Sequence, residues 1–213
     1  MKALVIAAVV AAAMVPAAAQ AQEDFLGGRI GIVGGWDSVN VDVNNVGGTG
    51  QNFDKNYDGA TFGLLTGYHW SLGEGLIIGV GTSTMFSNNS KKFNIPGPTI
   101  NPPPAGGIAS GAGNTLKIEA GRDLEAHVKV GAIVSDGILL YGKVGYANGQ
   151  LKAKAVINGI TYKDKDSGSG LRLGVGTEIA LNDSFSLLAE YRYTDYSNNL
   201  KRNQVVAGVG YKF

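Results

Sequence analysis

LRLGVGTEIALNDSFSLLAEYRYTDY, residues 171–196, holds two alternating segments around a polar break. In the first, Leu171, Leu173, Val175, Thr177 and Ile179 alternate with Arg172, Gly174, Gly176 and Glu178. In the second, Phe185, Leu187, Ala189, Tyr191 and Tyr193 alternate with Ser186, Leu188, Glu190 and Arg192. A period of two is the signature of a β-strand with two unlike faces. One face here carries no charge, and the other carries both signs. A soluble barrel would turn its apolar face inward and its charged face to water. A sealed core lined by many charges bears a heavy desolvation cost, so the charged face needs pairing or water. With the apolar face against lipid and the charges around the axis, the difficulty shrinks. Closing the barrel also satisfies every backbone group, as lipid requires.

The same alternation recurs along the chain. It runs through residues 29–37, 60–70, 76–86, 124–132, 138–146 and 205–213. With the two segments above, this predicts about eight strands. Glycine interrupts every competing helical pattern, at roughly 1 kcal/mol for each such glycine. The links near 71–75, 135–137 and 181–184 are short. Those near 40–56, 88–115, 149–167 and 197–201 are longer and polar. Short and long links alternate strictly, as when strands run up and down with short periplasmic turns and long external loops. The sequence therefore predicts an all-β protein, an eight-stranded antiparallel up-and-down transmembrane β-barrel.

Composition agrees. The 213 residues include 33 glycines and no cysteine, with 18 Lys and Arg against 17 Asp and Glu. The 16% of charged residues is low beside the roughly 25% usual for soluble domains. Balanced charge disfavours a nucleic-acid binder. Residues 1–21, MKALVIAAVVAAAMVPAAAQA, have one early cation, Lys2, an apolar run from Ala3 to Val15, and the small-residue site Ala19-Gln20-Ala21. This is the pattern of a secretory signal peptide cut after Ala21. The expected barrel domain is residues 22–213, and the expected location is the outer membrane of a Gram-negative cell.

The inward positions form a candidate lumen charge network: Arg29, Asp37, Glu125, Lys129, Lys143, Arg172, Glu178, Glu190, Arg192 and Lys212. The barrel interior at eight strands is only just wide enough for side chains to fill. The network then reads as a structural ion-pair plug, with a small porin for ions or solutes as the alternative. Inward glycines such as Gly63, Gly67, Gly174 and Gly176 either leave a narrow water path or make room for Arg and Lys stems. Interfacial aromatics are expected in two girdles. Trp70 and Phe185 belong to the periplasmic one and Trp36, Tyr191 and Tyr193 to the external one. Residues 62–70 and 185–193 each span about 20 Å at the usual rise and tilt, near the roughly 25 Å apolar band.

Signals for chemistry are weak. His69 and His127 are the two histidines. His127 shares a face with Glu125 and Lys129, which suggests either a catalytic pair or a polar lumen contact. No serine or second acid obviously converges on it, so an enzyme acting on lipid or peptide is the minor alternative. GVGT at 79–82 and GVGY at 208–211 lie inside strands with no helix following, unlike phosphate loops. Two scattered histidines without cysteine make no metal ligand set, so neither a metal nor another cofactor is expected. The link at 88–115 contains NIPGPTINPPPAGG, suited to an exposed adhesive loop or a spacer. Lys91 and Lys92 beside it either touch lipopolysaccharide phosphates or, the commoner outcome, form a solvated pair.

Ala19-Gln20-Ala21, LRLGVGTEIAL at 171–181, LLAEYRYTDY at 187–196 and the terminal VVAGVGYKF at 205–213 carry a resemblance. The chain resembles the small outer-membrane β-barrel proteins, a porin-type family that includes the transmembrane domain of OmpA-type proteins and the opacity-type surface antigens. The resemblance implies a structural or surface-interaction role in the envelope, with lipid and lipopolysaccharide around the barrel. It also implies host or surface ligands at the external loops and a monomeric state. It further implies that Tyr211 and Phe213 act as the signal read by the barrel-assembly machinery. No peptidoglycan-binding domain follows Phe213 in this sequence, so cell-wall anchoring by such a domain is not expected.

Overall fold

The computed structural model describes residues 23–43, 53–88, 90–94, 115–157, 160–196 and 200–213. The expected signal peptide and the proline-rich stretch of the 88–115 link lie outside them. A single 3-10 turn, Glu23–Phe25, precedes nine strands. They are β1 (Gly27–Val43), β2 (Phe53–Gly73), β3 (Leu76–Ser87), β4 (Ser90–Asn94), β5 (Thr115–Ser135), β6 (Ile138–Ile157), β7 (Ile160–Ala180), β8 (Phe185–Tyr196) and β9 (Leu200–Lys212).

Each strand is antiparallel to its neighbours, in the order β3-β2-β1-β9-β8-β7-β6-β5-β4, and a β3–β5 pairing closes the ring. β4 continues β3 beyond Asn88 and pairs with the outer part of β5. Eight strands therefore surround the axis, as the alternation predicts. The short links fall at one end. At the β2–β3 turn, Gly73, Glu74 and Gly75 all have positive φ (93°, 49° and 77°), a backbone that glycine adopts without strain. At the β7–β8 turn, Asn182 Oδ1 accepts from the backbone N–H of Ser184 (3.0 Å) and of Phe185 (2.9 Å).

Other expected links are shorter than the sequence suggests. The 149–167 stretch is mostly strand, because β6 and β7 stay paired without a register break up to Ile157 opposite Ile160. Beyond the bilayer, a strand's outer face no longer needs to be apolar. Charge at Lys154, Lys163 and Lys165, all exposed, therefore marks the exit from lipid, not the end of the strand.

The two faces are inverted relative to a soluble protein. Ile32 is 64% exposed and Phe62 62%, whereas Arg172 is fully buried and Arg192 is 1% exposed. Polar groups on the outer face find partners: Thr66 and Thr82, opposite each other, bond through their hydroxyls (3.0 Å). Inside, Phe25, Ile77, Ile133, Leu139 and Tyr141 pack near the short-turn end. A second apolar cluster joins Val33, Met85, Leu188 and Val206 farther along.

Candidate functional site: the ion-paired lumen

Inward parity brings charges from most strands onto the axis. Toward the long-link end, Arg202 on β9 grips Asp37 on β1 with a two-point fork, Nε to Oδ1 at 2.7 Å and Nη2 to Oδ2 at 2.6 Å. Its Nη1 donates to Asp123 Oδ2 on β5 (2.8 Å). Arg172 on β7 donates to the same Asp123 oxygen (2.5 Å), to Glu125 Oε2 (3.0 Å), to Thr194 Oγ1 (2.6 Å) and to Tyr196 Oη (3.1 Å). Charge-assisted forks of this kind fix geometry as well as adding energy.

Glu125 is the middle hub. Lys143 Nζ sits 2.6 Å from Glu125 Oε1 and 2.7 Å from Glu190 Oε1. His127 Nδ1 lies 3.1 Å from Glu125 Oε1, and Ser83 donates to Oε2 (3.1 Å). Glu190 pairs with Arg192 and accepts from Tyr141 (2.8 Å). Toward the short-turn end, Arg29 pairs with Glu178, which also accepts from Ser186 (2.7 Å). Lys129 lies over the Tyr141 ring at 3.9 Å.

The short-turn mouth is tied to the 3-10 turn. Arg29 Nη2 (2.8 Å) and His69 Nδ1 (3.1 Å) both donate to the Phe25 carbonyl. Lys212 Nζ donates to the Glu23 carbonyl (2.8 Å). Lys212 thus sits at the rim and not among the axial charges, whereas the other nine residues of the sequence-derived network lie inside. Trp36, Trp70, Phe185, Tyr191 and Tyr193 all lie on the outer face. Phe62 and Phe86 meet as tilted rings (5.8 Å between ring centres) at one rim, and Phe185 and Tyr211 (5.3 Å) at the other.

Asp123, Arg202 and the buried Phe25 are not among the residues singled out from sequence. Strand limits there follow the apolar alternation, which stops at the lipid edge. Inward parity continues, from Glu125 to Asp123 and from Gln204 to Arg202, and would have found both. Phe25 precedes the first alternating residue and has no periodic signal.

Inward glycines make room for these side chains. A Cβ at Gly176 would lie 2.6 Å from Tyr141 Oη and 2.7 Å from the Ala189 carbonyl. A Cβ at Gly174 would meet the Lys143 stem at 2.8 Å. Gly176→Ala is expected to destabilise the barrel by roughly 1–3 kcal/mol through overpacking, measured by urea unfolding in lipid vesicles. Among the described residues no group of three or more His, Cys, Asp and Glu is placed to hold a metal.

A lipid-ready outer face, aromatic rims and an ion-paired axis define an outer-membrane β-barrel. The chain belongs to the outer membrane protein beta-barrel domain family, whose profile matches residues 6–213. It is 28% identical over 161 residues to the 31 kDa outer-membrane immunogenic protein of Brucella melitensis, covering 71% of this chain and 59% of that relative's length. It is 25% identical over 184 residues to the 22 kDa outer membrane protein of Rhizobium leguminosarum, covering 78% of this chain and 74% of the relative. The crystal structure of Ail of Yersinia pestis superposes with a TM-score of 0.50 at 14% identity, covering 88% of this chain and all of Ail. That last likeness concerns the fold alone. This is an outer-membrane protein of the β-barrel family.

Proposed function

We propose that the protein is a closed, monomeric barrel that strengthens the outer membrane and presents its external strands and links to the surroundings, without a conducting path or an active site. The Arg202–Asp123 contact carries this reading. β9 and β5 stand four places apart in a ring of eight, so this pair joins opposite walls across the axis. An enclosed cavity beside His69, His127, Lys129 and Lys143 measures about 30 Å³, room for only about two waters.

The arrangement around His127 also argues against catalysis. Ser83 donates to Glu125, whereas an activated serine needs its hydroxyl bonded to the histidine base. Planar-bilayer recording on the refolded protein tests the closed lumen. Electrical silence is expected, and steady, reproducible conductance steps would favour the small porin instead. Host or surface ligands, if bound, would meet the external links and strands.

A further inference from the structure

Within the lumen, β5 and β6 set two inward lysines directly opposite each other, Lys129 and Lys143. Their cross-strand neighbours in the same row are Gly79 and Gly174, which bring no carboxylate. Like charges so placed destabilise a sheet unless each finds an acid. Lys143 finds two, Glu125 and Glu190. Lys129 finds none at hydrogen-bond distance. Its nearest carboxylate oxygen among the described residues, Glu178 Oε2, is 3.9 Å away, past the roughly 3.2 Å limit of a good bond. Glu178 is already held by Arg29 and Ser186. The count of charges agrees. The buried ions of the axis are five cations and five carboxylates, and Lys129, with its side chain 11% exposed, is one cation more. An uncompensated charge at membrane depth is costly.

The surplus cation borders a space. The enclosed cavity of about 30 Å³ is lined by six basic side chains, Lys129 and Lys143 among them, against two acids, Glu178 and Glu190. Two more of its basic residues hold unused donors: Arg29 Nε and Arg192 Nη1 are buried without a hydrogen-bond partner. The acids are spent, since Glu190 accepts from Tyr141 and Arg192 and also meets Lys143. Two waters would satisfy the donors and leave the charge, whereas an anion answers both. We infer that this cavity is a binding site for one small monovalent anion, chloride under ordinary conditions, with Lys129 as its counter-cation. A space sized for about two waters admits a monatomic halide and excludes a tetrahedral oxyanion such as sulfate. The inference rests on the closed lumen proposed above, and bilayer recording reports on that reading separately.

The test is equilibrium urea unfolding of the refolded barrel in zwitterionic phospholipid vesicles, with chloride exchanged stepwise for gluconate at fixed sodium. The anion is present from unfolded chain to closed barrel, so its entry needs no open path. Chloride that binds only the folded barrel multiplies the folding constant by 1 + [Cl⁻]/Kd, so above Kd each tenfold rise in chloride is expected to raise it about tenfold. Lys129→Met keeps an apolar stem beside the Tyr141 ring and leaves Glu178 to Arg29. It should fold, as checked by heat-modifiable migration, and lose the chloride dependence. Sulfate at matched ionic strength should stabilise no better than gluconate. Coinciding chloride and gluconate curves for the parent would overturn the assignment, by leaving the cavity to water or Lys129 without its proton. A dependence kept in Lys129→Met, or matched by sulfate, would overturn it too, by giving the effect to screening of exposed charges. Crystals of the parent grown in bromide supply a reading that needs no variant. One anomalous peak in the cavity beside Lys129 is expected, and a cavity without one would sink the proposal.

Discussion

Arg172→Ala is expected to destabilise the barrel by about 3–5 kcal/mol, the usual cost of removing one member of a buried ion pair. Arg172 is fully buried, and its guanidinium bonds to Asp123, Glu125, Thr194 and Tyr196. Truncation leaves two carboxylates facing each other with less compensation, in a space that admits few waters. The measurement is equilibrium urea unfolding in phospholipid vesicles. The cost comes from the abandoned acids more than from the pair's net worth, because buried ion pairs often barely exceed their desolvation cost. The double replacement Arg172→Met and Asp123→Asn keeps the axial charge balanced and leaves Arg202 its fork to Asp37, so it should recover part of the loss. A single Arg172→Ala change costing under about 1 kcal/mol, as for exposed pairs, would mean that the axis is well hydrated.

Val175→Arg probes the other face. Val175 is 53% exposed and lies midway between the outward residues Leu171 and Ile179. Arginine on the lipid side at the bilayer midplane is expected to cost roughly 2–4 kcal/mol, falling to about 0–1 kcal/mol near an interface. Leu171→Arg, at the belt's edge, supplies the second point. The pair predicts a depth-dependent penalty in vesicle unfolding experiments. Equal, small effects at both positions would show that the apolar face does not meet lipid, and the inside-out arrangement would fall.

Which face meets lipid was legible from 171–196 alone, because burying Arg172, Glu178, Glu190 and Arg192 demands partners and exposing Leu173 and Val175 demands lipid. The sorting of short and long links gave the up-and-down topology. The ends of the strands were not legible. Apolar alternation reports contact with hydrocarbon, so it stops at the belt while hydrogen bonding continues. That one mismatch hid Asp123 and Arg202 and made 149–167 look like a link. Pairing partners within the lumen were hidden for another reason. Arg29 on β1 meets Glu178 on β7, three strands away, and Lys143 on β6 meets Glu190 on β8 over the intervening β7, separations fixed by the curvature of the closed sheet and not by local pattern.

The Arg202–Asp37 fork joins residues 165 positions apart, on the first and last strands, β1 and β9, which pair side by side. Neither end can find the other until nearly all of the polypeptide has been delivered and curled round. The lock is consequently a late event, since distant contacts form only after the intervening chain's closure entropy has been overcome. Pairs such as Arg172 with Asp123 and Lys143 with Glu190 lie within β5–β8 and do not wait for it, so the fork belongs to the last stage of enclosing the axis.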